Sequence, residues 1–444
     1  MVKKKSPQKE LFETELLDFI DKNHPLCILA NEIDWKSIEA KFLPTYNYFK
    51  GRPAKEVKLM IGLQYLKATY QESDESVVVK WVENPYWQYF CGEIYFQRKC
   101  PINPTMMTKF RNRVDRDKIS DLLGELIKTG LKFKIITQKS LEQVNVDTTV
   151  QEKNITFPTD AKLYYKMLSK LVSASKKRCV ILRQSYKRKS KCALIMQGRY
   201  SHARQMKRSN REIKKLRTYL GRVTRDISRK MDNKEDNELL DLLELSNKLL
   251  LQKRNDKDKI YSIHEPSVYC ISKGKSHKKY EFGVKSSFAT TTKECFIVGA
   301  FSLEKNLYDG HTLNRQINQV ECLTSVKLKE VNVDLGYRGH DYTGEASVNI
   351  VGRQRNKDKK RNRITKRRSS IEPIIGHMKM DGHLGRNYLK GEKGDMFNTV
   401  LSACGQNIRK MLRFIKERTG DIIFTLESFV VFLTVEEKNR LFQG

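Results

Sequence analysis

One tetrapeptide occurs twice in this chain: Val-Asn-Val-Asp stands at 144–147 and again at 331–334. In each copy apolar and polar residues alternate, the period of a strand, and each copy ends in an aspartate. A polar or glycine-containing segment follows both. In open mixed sheets, ligands collect outside the carboxyl ends of the strands. If the two strands are neighbours, Asp147 and Asp334 meet there. Neither ionises comfortably beside the other without a cation. Mg²⁺ suits such a pair, because it keeps several waters and binds through one or two carboxylates plus substrate phosphates. A lone aspartate after a strand is otherwise a common turn starter; the repetition weighs against that reading without removing it.

The flanking segments place these strands in an α/β chain. Residues 1–140 read as helical. Leu11–Lys22 and Trp35–Phe42 carry apolar residues at helical spacing, and Leu59, Leu63, Leu66 and Tyr70 share one face. Ser73 is a candidate helix cap, and Asn103-Pro104 is a helix start. The helix it opens presents Lys109, Arg111, Arg113 and Arg116. This region is either a DNA-reading unit of the helix-turn-helix kind, with Lys109, Arg111 and Arg113 toward DNA, or an ordinary helical packing domain. Residues 162–258 are basic and helical, with almost no Gly or Pro. Ile213 to Ile227 and Leu239 to Leu249 form two stripes joined by a polar turn at Asp232–Asn237. Strand signals return at 267–273, 280–288 and 293–301, the last two as a hairpin turning at Ala289–Thr292. A helix is expected within 312–328, another from about Ser370 and a third from Asp395 to about Glu417. The tail 416–444 has no readable function.

Charge narrows the partners. Lys and Arg number 86 against 52 Asp and Glu, a net charge of +34. Such a surplus repels itself unless it meets a polyanion, and nucleic acid is the natural one. Arg353–Arg368 alone holds ten basic residues against one Asp and reads as a basic loop. The nine cysteines form no C-x-x-C pair and their spacing suggests neither a zinc cage nor a disulfide framework. No apolar stretch is long enough to predict a signal sequence or a membrane span.

Glu372 is the third carboxylate of interest. On a helix, Arg368, Glu372, Gly376 and Lys379 fall on one stripe, with Ile371, Ile374, Ile375 and Met378 on the buried side. Gly376 leaves room for a backbone or phosphate, and Pro373 keeps Glu372 in the first turn. The alternative is equally local: Ser369-x-x-Glu372 is also a capping box, in which the glutamate only holds the helix start.

Together these residues resemble a large group of bacterial insertion-sequence transposases of the DDE type. Asp147, Asp334 and Glu372 occur in that family's order, and Arg368-x3-Glu372-x6-Lys379 matches its signature. Asp334-Leu335-Gly336-Tyr337, Tyr308–Leu313 and Gly385-Arg386-Asn387-Tyr388-Leu389-Lys390-Gly391 are similar to further family segments, as is the helical region from about Gly51 to Asp115. The signature's tyrosine, three residues before the arginine, is replaced by Thr365, which puts a hairpin-forming step in doubt.

The resemblance implies an RNase H-like mixed sheet flanked by helices, with three parts to the chain. These are an all-α DNA-binding domain over 1–140, a catalytic domain over 141–415 and a tail. The helical insertion at about 162–258 follows the first strand, since only 37 residues separate Asp334 from Glu372. It also implies two Mg²⁺, replaceable by Mn²⁺, on Asp147, Asp334 and Glu372. Arg368 and Lys379 would be phosphate clamps, and His311 either a neighbour of the metals or a structural hydrogen-bonder. Expected partners are double-stranded DNA, as terminal inverted repeats and target, and at least a second subunit on it. No membrane is expected, and the compartment would be a bacterial cytoplasm, at the nucleoid. Two other readings share the carboxylates or the charge: an inactive transposase-derived DNA-binding protein, and a metal-dependent nuclease that cuts without joining. A structural nucleoid or ribosomal protein would leave the matched strand ends unexplained.

Overall fold

The structure is a computed structural model. It describes residues 14–46, 54–231, 236–253, 255–272, 279–352 and 366–441, with side chains as far as residue 420. The chain divides into two compact units, one of Met1–Gln151 with Lys285–Gly444, the other of Glu152–Val284.

The first unit opens with short helices whose starts are written in the sequence. These are α1 (Pro25–Glu32), α2 (Trp35–Phe42), α3 (Val57–Thr69), α4 (Asp74–Glu83), α5 (Pro85–Phe90), α6 (Thr105–Arg113), α7 (Arg116–Lys132) and α8 (Gln138–Leu141). The side chains of His24, Asp34 and Asn84 accept from backbone amides one turn in, and Pro25 and Pro85 follow at the first helical position. Ser73 and Ser76 cap each other's amides at α4. The helix expected over 11–22 is replaced. Residues 11–13 lie outside the described residues, and only a 3-10 turn, Leu16–Asp18, forms in the remainder. There the chain pairs Glu15 with Tyr95 and turns where the Asp21 carboxylate accepts from Asn23 N (2.8 Å).

Six strands form one mixed sheet: β1 (Gln143–Glu152), β2 (Tyr269–Ser272), β3 (Tyr280–Thr291), β4 (Ile297–Ser302), β5 (Glu330–Val333) and β6 (Ser347–Ile350). In the first unit the order is β3-β1-β5-β6, with β4 antiparallel on β3. The expected hairpin between β3 and β4 is present, but β3 runs on to Thr291 and the reversal falls at 292–296, after a register shift at Ala289/Thr290. α13 (Leu313–Thr324) leads back to β5. α14 (Ile371–Met380) carries Glu372, and α15 (Gly391–Leu441) is one long helix rather than the expected helix and tail. Helices and sheet share a core in which Tyr65, Trp81, Phe288, Phe296 and Phe397 are fully buried.

The second unit is a helical bundle of α9 (Asp160–Lys177), α10 (Lys187–His202), α11 (Met206–Lys230) and α12 (Asn237–Leu251). The two predicted stripes supply its core: Leu216, Leu220, Val223 and Ile227 pack with Leu239, Leu249 and Leu168 of α9. Most of the predicted turn between them, residues 232–235, lies outside the described residues. β2 pairs here with the start of β3, Tyr269 opposite Gly283. Lys153 and Glu265 form a buried ion pair at 3.1 Å. The fold as a whole is α/β.

Candidate active site

The two copies of the repeat lie side by side. β1 and β5 are parallel, with Val144 opposite Val331 and Asn145 opposite Asn332. Side chains two apart on a strand share a face, so Asn145 lies with Asp147 and Asn332 with Asp334. The asparagines form a ladder across three strands. Asn349 of β6 donates to Asn332 (3.2 Å), and Asn332 donates to Asn145 (3.1 Å). Asn145 in turn donates to the carbonyl of Arg367 (2.9 Å). The ladder therefore fixes the backbone immediately before Arg368.

Arg368 collects the three carboxylates that the sequence singled out. Its guanidinium lies 3.0 Å from Asp147, 2.8 Å from Glu372 and 3.7 Å from Asp334. The arginine side chain is 10% exposed, while exposure rises from 16% at Asp147 to 59% at Glu372. The site thus opens to solvent on the Glu372 side. The capping-box alternative is not what forms. The helix cap is Ser370, whose hydroxyl donates back to Arg367 O (2.6 Å), and the Glu372 carboxylate accepts from Arg368. Next along the helix stripe, a side chain at Gly376 would meet nothing within 4 Å, so that face stands open.

Further groups around these acids were not singled out in the sequence. Asp309 accepts from Thr148 Oγ1 (2.9 Å) and from Lys285 Nζ (3.0 Å). A Cβ at Gly336 would lie 3.0 Å from Asp334 Oδ1 and 3.5 Å from Asp309 Oδ2, so the two carboxylates flank that glycine. The Tyr337 hydroxyl is fully buried and completes no hydrogen bond. Burial, and then the charges of Asp147, Asp309 and Asp334, push its pKa well above the ordinary phenol value, so it stays a donor. In sequence, Asp309 lies within Tyr308–Leu313, two residues before His311.

With this geometry in place, comparison with known proteins narrows the family. Residues 14–113 match the family model of a transposase domain (DUF772). A stretch of 200 residues is 44% identical to the uncharacterized protein ORF8 of the nfe locus of Rhizobium meliloti, covering 45% of this chain and 96% of that relative. The chain belongs to this transposase family. No solved structure matches it. The matched domain ends at Arg113, so Asp147, Asp334 and Glu372 lie beyond it.

The other residues expected in this transposase-family chain are placed unevenly. Lys109 and Arg113 are exposed on α6, Arg113 over the ring of Tyr46 at 4.9 Å. Arg111 is a correction. It is buried, makes a two-pronged pair with Asp74 and bonds Gln64 and Thr108, so its charge is engaged inside the protein. The sequence could not show that Asp74 lies opposite it. His311 pairs with Asp341 (3.1 Å) and rests edge-on to Tyr308; no described hydrogen bond joins it to the three acids. Lys379 is half-buried two turns beyond Glu372 on α14. Thr365 and most of the basic loop 353–368 lie outside the described residues. Among the described residues no three His, Cys, Asp or Glu side chains are close enough to hold a metal as they stand. No described helix is long and apolar enough to cross a membrane.

Proposed function

We propose that the chain is a DDE transposase: it cuts DNA at the ends of an insertion element and joins the freed 3′ end to target DNA, with Asp147, Asp334 and Glu372 as metal ligands on an RNase H-like sheet. The observation that carries this reading is the convergence of all three carboxylates on one buried cation, Arg368.

The donor set suits a hard divalent ion. All three groups offer carboxylate oxygen, and Mg²⁺ needs few protein ligands because it retains water. The guanidinium shows that a cation is already accommodated among them. For metal to enter, Arg368 has to leave, and a DNA phosphate is the natural group to draw it out. Two Mg²⁺, or Mn²⁺, held by the three acids would activate the attacking oxygen and stabilise the leaving one. The chain's own groups do the rest. Arg368 and Lys379 hold phosphates and position the strand. Lys285 is a further phosphate partner once released from Asp309. The open face at Gly376 admits the backbone, and the unpaired Tyr337 hydroxyl remains a donor beside the acids. Duplex DNA, as terminal inverted repeats and target, is then the partner. Joining requires two ends to be paired, hence at least two subunits, and the natural place of action is the bacterial cytoplasm at the nucleoid.

The test is cleavage of a duplex carrying the DNA that flanks the gene, with Mg²⁺ or chelator, by the wild type and Glu372→Gln. Cutting should require metal and fall on the order of 10³-fold or more in the variant, with DNA binding retained. Binding without cutting in both proteins would point to an inactive DNA-binding protein. Cutting without joining to a target duplex would point to a nuclease.

A further inference from the structure

The segment Gly385–Gly391 has no part in the carboxylate site, yet it walls a cavity of about 780 Å³ within the first unit. That volume lies in the range of roughly 300–1,000 Å³ typical of small-molecule sites. Its floor is charged: Asp74 is held between Lys67 (2.6 Å) and Arg111 (3.0 Å). Lys390 and Lys393 stand at the rim, and Tyr388 is 62% exposed beside them. Lys390 has no acidic partner among the described residues, and Lys393 donates only to a carbonyl, that of Asn112 (2.9 Å). An exposed ring beside free cations over a roomy pocket is the chemistry that binds a base by stacking and its phosphate by charge.

The wall is tied to the strand of Asp147. Gln151, four residues beyond Asp147, bonds Asp395 O (3.1 Å) and Thr399 (2.9 Å), and accepts from Asn387 (3.3 Å) and Asn398 (3.0 Å). All five residues are buried, and a satisfied buried network of this kind is rigid. From the other side, α14 runs from Glu372 to Met380, and Gln71 and Glu72 bond the residues just beyond it. Four residues of strand or eight of helix span roughly 13 Å, about four base steps of a DNA strand.

We propose that this cavity is a nucleotide pocket, which takes one unstacked nucleotide of a DNA strand a few positions from the bond being cut, its base on Tyr388 and its phosphate on Lys390 and Lys393. The strand is the favoured source because the pocket lies within a few base steps of the carboxylates, and to that extent the inference rests on the function proposed above. Binding itself is independent of metal and is read separately.

The full-length protein is titrated in chelator with a fluorescein-labelled single-stranded 12-mer, with the blunt duplex of the same sequence, and with deoxyadenosine monophosphate as competitor. Tyr388→Ala should weaken single-strand binding about 10- to 100-fold, leave duplex binding within about threefold, and be rescued by Tyr388→Phe. A 12-mer carrying iododeoxyuridine should photocrosslink to the peptide containing Tyr388. At its exposure Tyr388 carries little of the fold, so an unchanged urea midpoint checks the variant. Wild-type single-strand binding in Tyr388→Ala and Lys390→Ala, with crosslinks elsewhere, would overturn the pocket. Displacement of the 12-mer by micromolar deoxyadenosine monophosphate would overturn the strand as its source in favour of a free nucleotide. Neither result touches the Glu372→Gln cleavage assay, whose failure would remove the DDE reading and leave the pocket standing.

Discussion

A single arginine carries most of the meaning of this site. Three carboxylates gathered on one guanidinium repel one another, and Arg368 offsets that repulsion. On the function proposed above, guanidinium and metal would compete for the same oxygens. Arg368→Gln should therefore raise the affinity of the DNA-free protein for Mn²⁺ at least tenfold, read from the loss of the free-ion signal in electron paramagnetic resonance, while weakening DNA binding. Equal Mn²⁺ affinity in the two proteins would mean that the arginine does not guard the site. At this scale the sequence was informative wherever chemistry is written locally. The repeated Val-Asn-Val-Asp and the spacing of Arg368 and Glu372 marked the residues that converge, although β1 runs on past Asp147 to Glu152 and only Asp334 stands at a strand end. It was uninformative wherever the partner is distant. Asp309 gains its neighbours from Thr148 and Lys285, 161 and 24 residues away, and Arg111 loses its availability to Asp74, 37 residues away.

Among the elements, the asparagine ladder matters most. Asn145 and Asn332 are buried between strands, and the Asn145 carbonyl accepts from Asn332 and, at 3.4 Å, from Thr292. Replacing Asn332 with Leu would leave the Asn145 carbonyl without that donor and break the link from Asn349. A cost of about 1–3 kcal/mol is expected, measured by urea unfolding. Because the ladder ends on Arg367 O, cutting should fall further than stability alone explains; a variant that loses stability but keeps full activity would show that the ladder only packs. The sequence displayed this ladder as the middle residues of the two repeats, but without the strand register its role could not be read. Its third rung, Asn349, sits in a four-residue strand whose ends are exposed, too short to leave a periodic signal. The start of α4 was easier, because Ser73 announces it chemically. The segment 11–22 misled because its apolar spacing fits a helix, whereas its chain pairs with Tyr95 and turns at Asp21.

For the whole molecule, the division into two units has a thermodynamic consequence. Each has its own hydrophobic cluster, so calorimetry should resolve two transitions rather than one. Lys153 is the probe that separates them. Its ammonium is buried against Glu265 in the second unit, and Lys153→Met would remove one side of that buried ion pair, at a cost of about 3–5 kcal/mol. One transition should move down and the other stay. A shift of both together would mean that the units unfold as one. The sequence located the basic helical stretch that builds the second unit, since the Leu and Ile stripes need no distant partner. It placed the edges of the helical stretch at 162, inside α9, and at 258, past the end of α12, whereas the unit runs from Glu152 to Val284, because a boundary that falls within a strand leaves no break in composition.

The guanidinium among the acids also bears on how the protein comes into being. Proteins that depend on a metal to hold their ligands together fold only when the ion is at hand. Here the nascent chain brings its own counter-ion, four residues from one of the acids it neutralises. On the function proposed above, it should fold and be kept in a cell poor in free divalent ions, with its metal-dependent chemistry held in reserve.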